Sequence, residues 1–242
     1  MSRTKSYYDL RDAFLLPGCA VCRVSARAVD RYLDGLLYEK VNDPGLRAAL
    51  RQARGFCQRH AWGLVRHGAA LGVAIMMRDV VRTLQGALAD ARFRSTPLFS
   101  LARVQETIDA QQPRAATAEV VAELGAQAPC PICTYEQEVE GDLLVSFLDN
   151  LAGDAGLLDA YRASAGFCLP HFRQALSRIG EERLFVAIVE AQQSIWARLE
   201  AQLSELIRKS DYKYSDVALG EEGVSWLQAI AASTKSDCMR GS

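Results

Sequence analysis

Histidine and methionine are scarce among the 242 residues, at three and four, and no sign of charge prevails, with 28 Lys+Arg against 29 Asp+Glu. Balanced charge at 24% of the chain argues against wholesale disorder and against a uniformly basic nucleic-acid binder. Long hydrophobic runs are also missing. The longest, Gly68 to Met77, is about half the ~20 residues needed to span a bilayer. Met1 to Leu10 is too polar for the apolar stretch of a secretory leader. The expectation is therefore no membrane and no export, which places the chain in the cytoplasm. No GxxxxGK[ST] phosphate loop, GxGxxG fingerprint, GxSxG elbow or HExxH helix occurs, and no histidine has a Glu three residues before it. Nucleotide, hydrolase and carboxylate-bridged di-iron chemistries thus lose their usual signatures, and nothing in the chain supports an enzyme.

What is present is half hydrophobic, enough for an ordinary buried core, and a cysteine pattern. Cys19, Cys22, Cys57 and His60 are followed by Cys130, Cys133, Cys168 and His171 at a constant offset of 111 residues. Each set reads C-x2-C-x34-C-x2-H. Sliding Cys19–His60 onto Cys130–His171 without a gap also matches Leu33 with Leu144, Asp43 with Asp154, Gly45 with Gly156, Leu46 with Leu157 and Arg51 with Arg162. Gly-Phe-Cys recurs at 55–57 and 166–168. Eleven identities in 42 positions are several times the roughly 6–7% expected of unrelated residue types, so the chain contains an internal repeat.

Three Cys and one His suit tetrahedral Zn²⁺, whose structural sites are closed by four N/S ligands. Ligands three residues apart in a first helical turn share a face, and a helix N-terminus favours the thiolates that a metal needs. A helix over 20–41 would carry the chain some 33 Å from Cys19, and the 15 residues Asn42 to Phe56 can just bring it back. Closure within one repeat is thus feasible with little slack, and ligands shared between repeats are the alternative. Two other readings compete, cysteines buried as small hydrophobes and disulfides. Cys238 reads as a free thiol, and His67, seven residues after His60, as a core or surface histidine. Four protein ligands leave no open coordination position for catalysis.

Apolar spacing of three and four residues predicts an all-α, internally duplicated helical bundle. Its two helix–short helix–long helix repeats would be related by a pseudo-twofold axis. Repeat one occupies 1–95, with helices at 20–41, 46–53 and Cys57 to about Phe93, the last burying Val65, Leu71, Ile75, Val80, Val81, Leu84 and Leu88. A connector covers 96–129. Repeat two covers 130–242, with helices at 132–151, 156–163 and Cys168 to about Lys209 and a break at Gly153-Asp154. Its stripe is Phe172, Leu176, Ile179, Leu184, Ile188, Ile195, Leu199, Leu203 and Leu206. A last short helix spans Val224–Ala232. The repeats differ in charge, +7 over 19–95 and −7 over 130–206. Opposite fields suit docking within a chain or in a homodimer, while Arg47, Arg51, Arg54, Arg59 and Arg66 suit a polyanion such as nucleic acid.

The residues Cys19-Ala-Val-Cys22, Tyr32-Leu-Asp-Gly-Leu-Leu-Tyr-Glu39, Gly55-Phe-Cys-Gln-Arg-His60, Cys130-Pro-Ile-Cys133, Gly166-Phe-Cys-Leu-Pro-His171 and Asp211-Tyr-Lys-Tyr214 resemble a bacterial family of unknown function with duplicated CxxC and GFCxxH modules. The likeness covers nearly the whole chain and departs at Ala20, where a CPxC form would have Pro. It implies metal binding and supplies no reaction. The expectation is thus a scaffold with two zinc ions that binds a protein partner. The alternative is an iron–sulfur electron-transfer or redox-sensing protein on the same eight ligands, with nucleic-acid binding a third reading.

Overall fold

The computed structural model describes residues 4–89, 91–93, 116–151, 156–214 and 217–235. Among them the chain is all-helical, without strands. Eleven α-helices follow one another: α1 Lys5–Phe14, α2 Ala20–Glu39, α3 Pro44–Gln52, α4 Gln58–Gly63, α5 Ala70–Ala89, α6 Ala118–Leu124, α7 Pro131–Asp149, α8 Leu157–Ala163, α9 Leu169–Leu176, α10 Glu182–Lys209 and α11 Ser225–Ser233. Two 3₁₀ turns, Tyr212–Tyr214 and Glu221–Val224, connect the last two helices.

Two compact units result, one of residues 30–135, the other joining residues up to 29 with those from 136 onward. These units do not coincide with the sequence repeats. Helix α2 contributes 20–29 to one and 30–39 to the other, and α7 changes unit between Tyr135 and Glu136.

Within unit 30–135, Asp43 caps α3 by accepting the Leu46 N–H at 2.6 Å, with Pro44 preset at the first helical position. The chain leaves α3 through Arg54 and Gly55, both at positive φ (55° and 110°), and the Gly55 N–H returns to the Leu50 carbonyl at 2.9 Å. Arg47 and Arg51 of α3 both reach Asp79 of α5, at 2.6 and 3.5 Å. Tyr32 and Tyr135 stack at 4.3 Å between centroids.

The other unit is built around four aromatic rings, Phe14, Phe147, Tyr161 and Phe167, whose centroids lie 4.8–6.0 Å apart. Tyr161 and the Phe167 N–H both donate to the buried Gln192 side chain. Gly166, at φ +72°, lies so near this amide that a Cβ would come within 2.9 Å of it. Only glycine fits that turn. Leucines matched by the repeat are core residues in both copies: Leu33 and Leu144 are fully buried, as are Leu46 and Leu157 to 8% and 1% exposure.

Three expectations need correction. The helix predicted from Cys57 to Phe93 is two, α4 and α5, separated by a turn in which Gly68 has φ +77°. The buried stripe assumed for it loses its phase there, leaving Val65 and Leu71 each 73% exposed and Val81 and Leu88 about half exposed, while Met76 and Val80 are buried. The helix predicted from Cys168 to Lys209 is likewise α9 and α10, broken around Gly180. There the stripe largely holds, with Phe172, Ile188 and Ile195 buried. Helix α1 was not expected, although Thr4 at its N-cap and Tyr7, Leu10, Ala13 and Phe14 on one buried face are signals of it. The break at Gly153-Asp154, most of the connector and Cys238 lie outside the described residues.

Candidate metal centres

The eight candidate ligands form two clusters of four, and each could hold a metal ion: Cys19, Cys22, Cys168 and His171 in one unit, Cys57, His60, Cys130 and Cys133 in the other. In each cluster the CxxC of one repeat meets the CxxH of the other. Closure within a repeat, the option with little slack, is not adopted. Helix α2, about 30 Å long by its 20 residues, carries the chain away from Cys19, and the residues that return to it come from 168–171.

Local structure explains why both pairs point at one spot. Cys19 precedes α2 and Cys22 lies in its first turn, while Cys168 is the N-cap of α9 and His171 is in its first turn. The second cluster repeats this at the starts of α7 (Cys130, Cys133) and α4 (Cys57, His60). Two helix N-termini therefore face each cluster, and their backbone N–H groups and dipoles favour thiolate sulfurs.

The spacing fits a single ion. Bonds of about 2.3 Å to sulfur and about 2.0–2.1 Å to nitrogen in a tetrahedron set ligand atoms about 3.8 Å (S···S) and about 3.5 Å (S···N) apart. In the first cluster, His171 Nδ1 lies 3.4, 3.3 and 3.2 Å from the Sγ atoms of Cys19, Cys22 and Cys168, and Cys22 Sγ is 3.7 Å from Cys168 Sγ. In the second, His60 Nδ1 lies 3.3, 3.7 and 3.4 Å from Cys57, Cys130 and Cys133, and the Cys57 and Cys133 sulfurs are 3.5 Å apart. All four ligand atoms in each set fall within 4.8 Å of one another.

Close contact makes the ionisation of each group depend on its neighbours. In the first cluster, burial pushes thiols up, yet contacts with Cys168, Cys22 and His171 hold the Cys19 thiol well below its ordinary value. The neighbouring Cys168 and Cys19 sulfurs, with burial added, push Cys22 far above it. Burial disfavours a charged His171, but the Cys168 and Cys19 sulfurs and Glu140 raise it to about 11. In the second cluster, burial and then Cys57 push Cys133 up to about 12, whereas Cys130 is lowered, burial being outweighed by His60 and nearby backbone N–H groups. A divalent ion would relieve this conflict by taking all three sulfurs as thiolates.

The clusters differ in their surroundings. The first is buried, with Cys19 and Cys22 4% exposed, Cys168 1% and His171 0%. Behind it, Glu140 Oε1 stands 3.1 Å from His171 Nε2. Lys235 donates to both Glu140 oxygens at 2.8 and 2.7 Å. A cavity of about 320 Å³ adjoins Cys19 and Cys168 and is lined also by Phe14, Ile195, Arg198 and Gln228. In the second cluster Cys57 and Cys133 are half-buried, and Arg59 Nη2 lies 3.0 Å from His60 Nε2. Arg59 was among the arginines singled out from the sequence, whereas Glu140 and Lys235 were not. Nothing in the sequence marks Glu140, since the equivalent position of the first repeat is Val29.

The remaining expectations fall as follows. His67 is exposed in the turn after α4, no longer on the helical face of His60. Phe167, next to Cys168 in sequence, is fully buried, whereas Phe56 is only half-buried. Gly55 and Gly166, which open the two Gly-Phe-Cys tripeptides, both have positive φ. The clustered arginines are engaged internally: Arg47 and Arg51 with Asp79, Arg54 with the Glu123 carbonyl, Arg59 beside His60, and Arg66 with Asp30 and Asp34. No helix among the described residues is long and apolar enough to cross a membrane.

A family model described as "Family of unknown function (DUF6062)" matches residues 4–233. The chain is also similar to an "Uncharacterized 23.9 kDa protein in xynA 3'region" of Caldicellulosiruptor sp. (strain Rt8B.4), at 25% identity over 220 residues, 88% of this chain and 92% of that one. No solved structure matches.

Proposed function

The chain belongs to this family of unknown function, and from that premise we propose that it is a structural zinc protein. It holds two ions per chain, one on Cys19, Cys22, Cys168 and His171 and one on Cys57, His60, Cys130 and Cys133, and serves as a scaffold for a protein partner. The observation that carries this reading is the pair of four-atom sets whose edges match a zinc tetrahedron. Each ion would bridge two helix starts that are distant in sequence. Zinc there supplies no reaction, because four protein ligands leave no site for water or substrate.

The iron–sulfur alternative fits the geometry less well. A cluster spreads its ligands over several irons, whereas four donor atoms within 4.8 Å of one another surround one ion. Nucleic-acid binding draws little support, since most of its candidate arginines already have carboxylate or carbonyl partners. The partner-binding part rests on exposed apolar side chains such as Trp226, Leu227 and Ile230 of α11. A reducing compartment, the cytoplasm, suits six thiols kept free in the described residues. Metal analysis of untagged protein expressed without added metal tests the core of the reading. Two zinc per chain and a colourless protein are expected; iron with sulfide, or no metal, would refute it.

A further inference from the structure

We propose that the two centres have different roles: the one on Cys19, Cys22, Cys168 and His171 is permanent, and Cys57 and Cys133 form a reversible oxidation site whose disulfide ejects the second ion. This rests on the zinc reading above. The contrast lies in access and in backing. All four ligands of the first centre are 4% exposed or less, and its histidine faces the Glu140–Lys235 pair, which increases the electron density on the ligand. Two of the three cysteines of the second centre, Cys57 and Cys133, are only half-buried, and their sulfurs lie 3.5 Å apart. Its histidine has the Arg59 guanidinium 3.0 Å from Nε2. The more exposed thiolates are the ones an oxidant meets first.

The oxidant is a small hydroperoxide such as hydrogen peroxide. One thiolate attacks a peroxide oxygen, the O–O bond breaks, hydroxide leaves, and that sulfur becomes a sulfenic acid. The second thiolate attacks this sulfur, the S–S bond forms, the S–O bond breaks, and a second hydroxide leaves. Two protons convert the hydroxides formed to water, so two thiolates lose two electrons and the peroxide is reduced. The ion loses two of its four ligands and departs. The sulfurs must close from 3.5 Å to the ~2.05 Å of a disulfide, and both sit at helix starts. A dithiol reductant reverses the step.

The test uses full-length zinc-loaded protein, first assayed for metal, then treated with hydrogen peroxide in the presence of a metallochromic dye, with the disulfides mapped by mass spectrometry. The expected result is a fall from two zinc per chain to one, a Cys57–Cys133 bond, and restoration by dithiol plus zinc. Cys168→Ser protein, starting with one ion, should lose that ion as readily. Release of both ions together, release first from the Cys19 centre through the adjoining cavity, a Cys130–Cys133 bond instead, or full retention would each overturn the proposal. Absence of zinc before treatment would overturn the zinc reading as well, which separates the two failures.

Discussion

Serine substitutions made in pairs distinguish crossed ligation from closure within a repeat, because the two schemes assign opposite partners to Cys22. If Cys22 shares an ion with Cys168, Cys22→Ser/Cys168→Ser protein keeps one ion and Cys22→Ser/Cys57→Ser protein keeps none. The energetic consequence follows from chain length. An ion that joins Cys22 to Cys168 closes a loop of 146 residues, and one that joins Cys57 to Cys133 closes a loop of 76. Treated as cross-links, they remove denatured-state entropy worth about 5 and about 4.5 kcal/mol at 25 °C. The shorter loop is nested in the longer, so once it is closed the outer link spans only the remaining chain and is worth about 4.4 kcal/mol. The same-site double variant should therefore be no less stable than the worse of its single variants, while the split-site double should lose about 9 kcal/mol in all. Zinc stoichiometry and urea unfolding midpoints of the three singles and two doubles measure this. If Cys22→Ser/Cys57→Ser protein retained one ion while Cys22→Ser/Cys168→Ser protein lost both, crossed ligation would be refuted.

Glu140→Gln should weaken zinc at the Cys19 centre about 10–100-fold while leaving the other centre unchanged, as read by competition with a chelator of known affinity. Phe167→Ala, which removes a fully buried ring, should cost about 3–5 kcal/mol, and Phe56→Ala distinctly less because that ring is half-buried; equal losses in chemical denaturation would contradict the burial difference. Gly166→Ala should destabilise by about 1–3 kcal/mol, since it combines positive φ with a Cβ 2.9 Å from Gln192. The Lys209 ammonium and the Gly220 N–H lower Glu222 from 4.5 to about 2. Its contribution is thus present above the ordinary carboxylate value and lost as the pH falls from there towards 2. Glu222→Gln protein should lack that part of the acid slope in a pH series of unfolding midpoints.

The candidate ligands, which gather into two sets of four, were legible because coordination demands residue types and the duplication repeats their spacing. The all-α class was legible from apolar periodicity. What stayed hidden depended on long-range pairing. The 34-residue gap between Cys22 and Cys57 is compatible with closure inside a repeat or across repeats, and only the path of α2 decides between them. Helix ends were misjudged where one glycine changes direction: Gly68, at φ +77°, divides what periodicity joined, so residues assigned to a single buried stripe, such as Val65, face solvent. Glu140 escaped notice because a carboxylate on a helix carries no mark of its neighbour until His171 is placed beside it.

Crossed ligation also gives the protein a timetable. As the chain emerges from the ribosome, neither CxxC can be satisfied by the residues just made. The inner set is complete once Cys133 has appeared, and then the earlier Cys57 and His60 gain their partners. Cys19 and Cys22, the first thiols to emerge, are among the last to be served, because His171 follows Cys22 by 149 residues. At about 5–20 residues per second that interval is roughly 7–30 s. During it the N-terminal pair is an open dithiol on an unfinished polypeptide, and the set on residues 57–133 is complete before the set on residues 19–171.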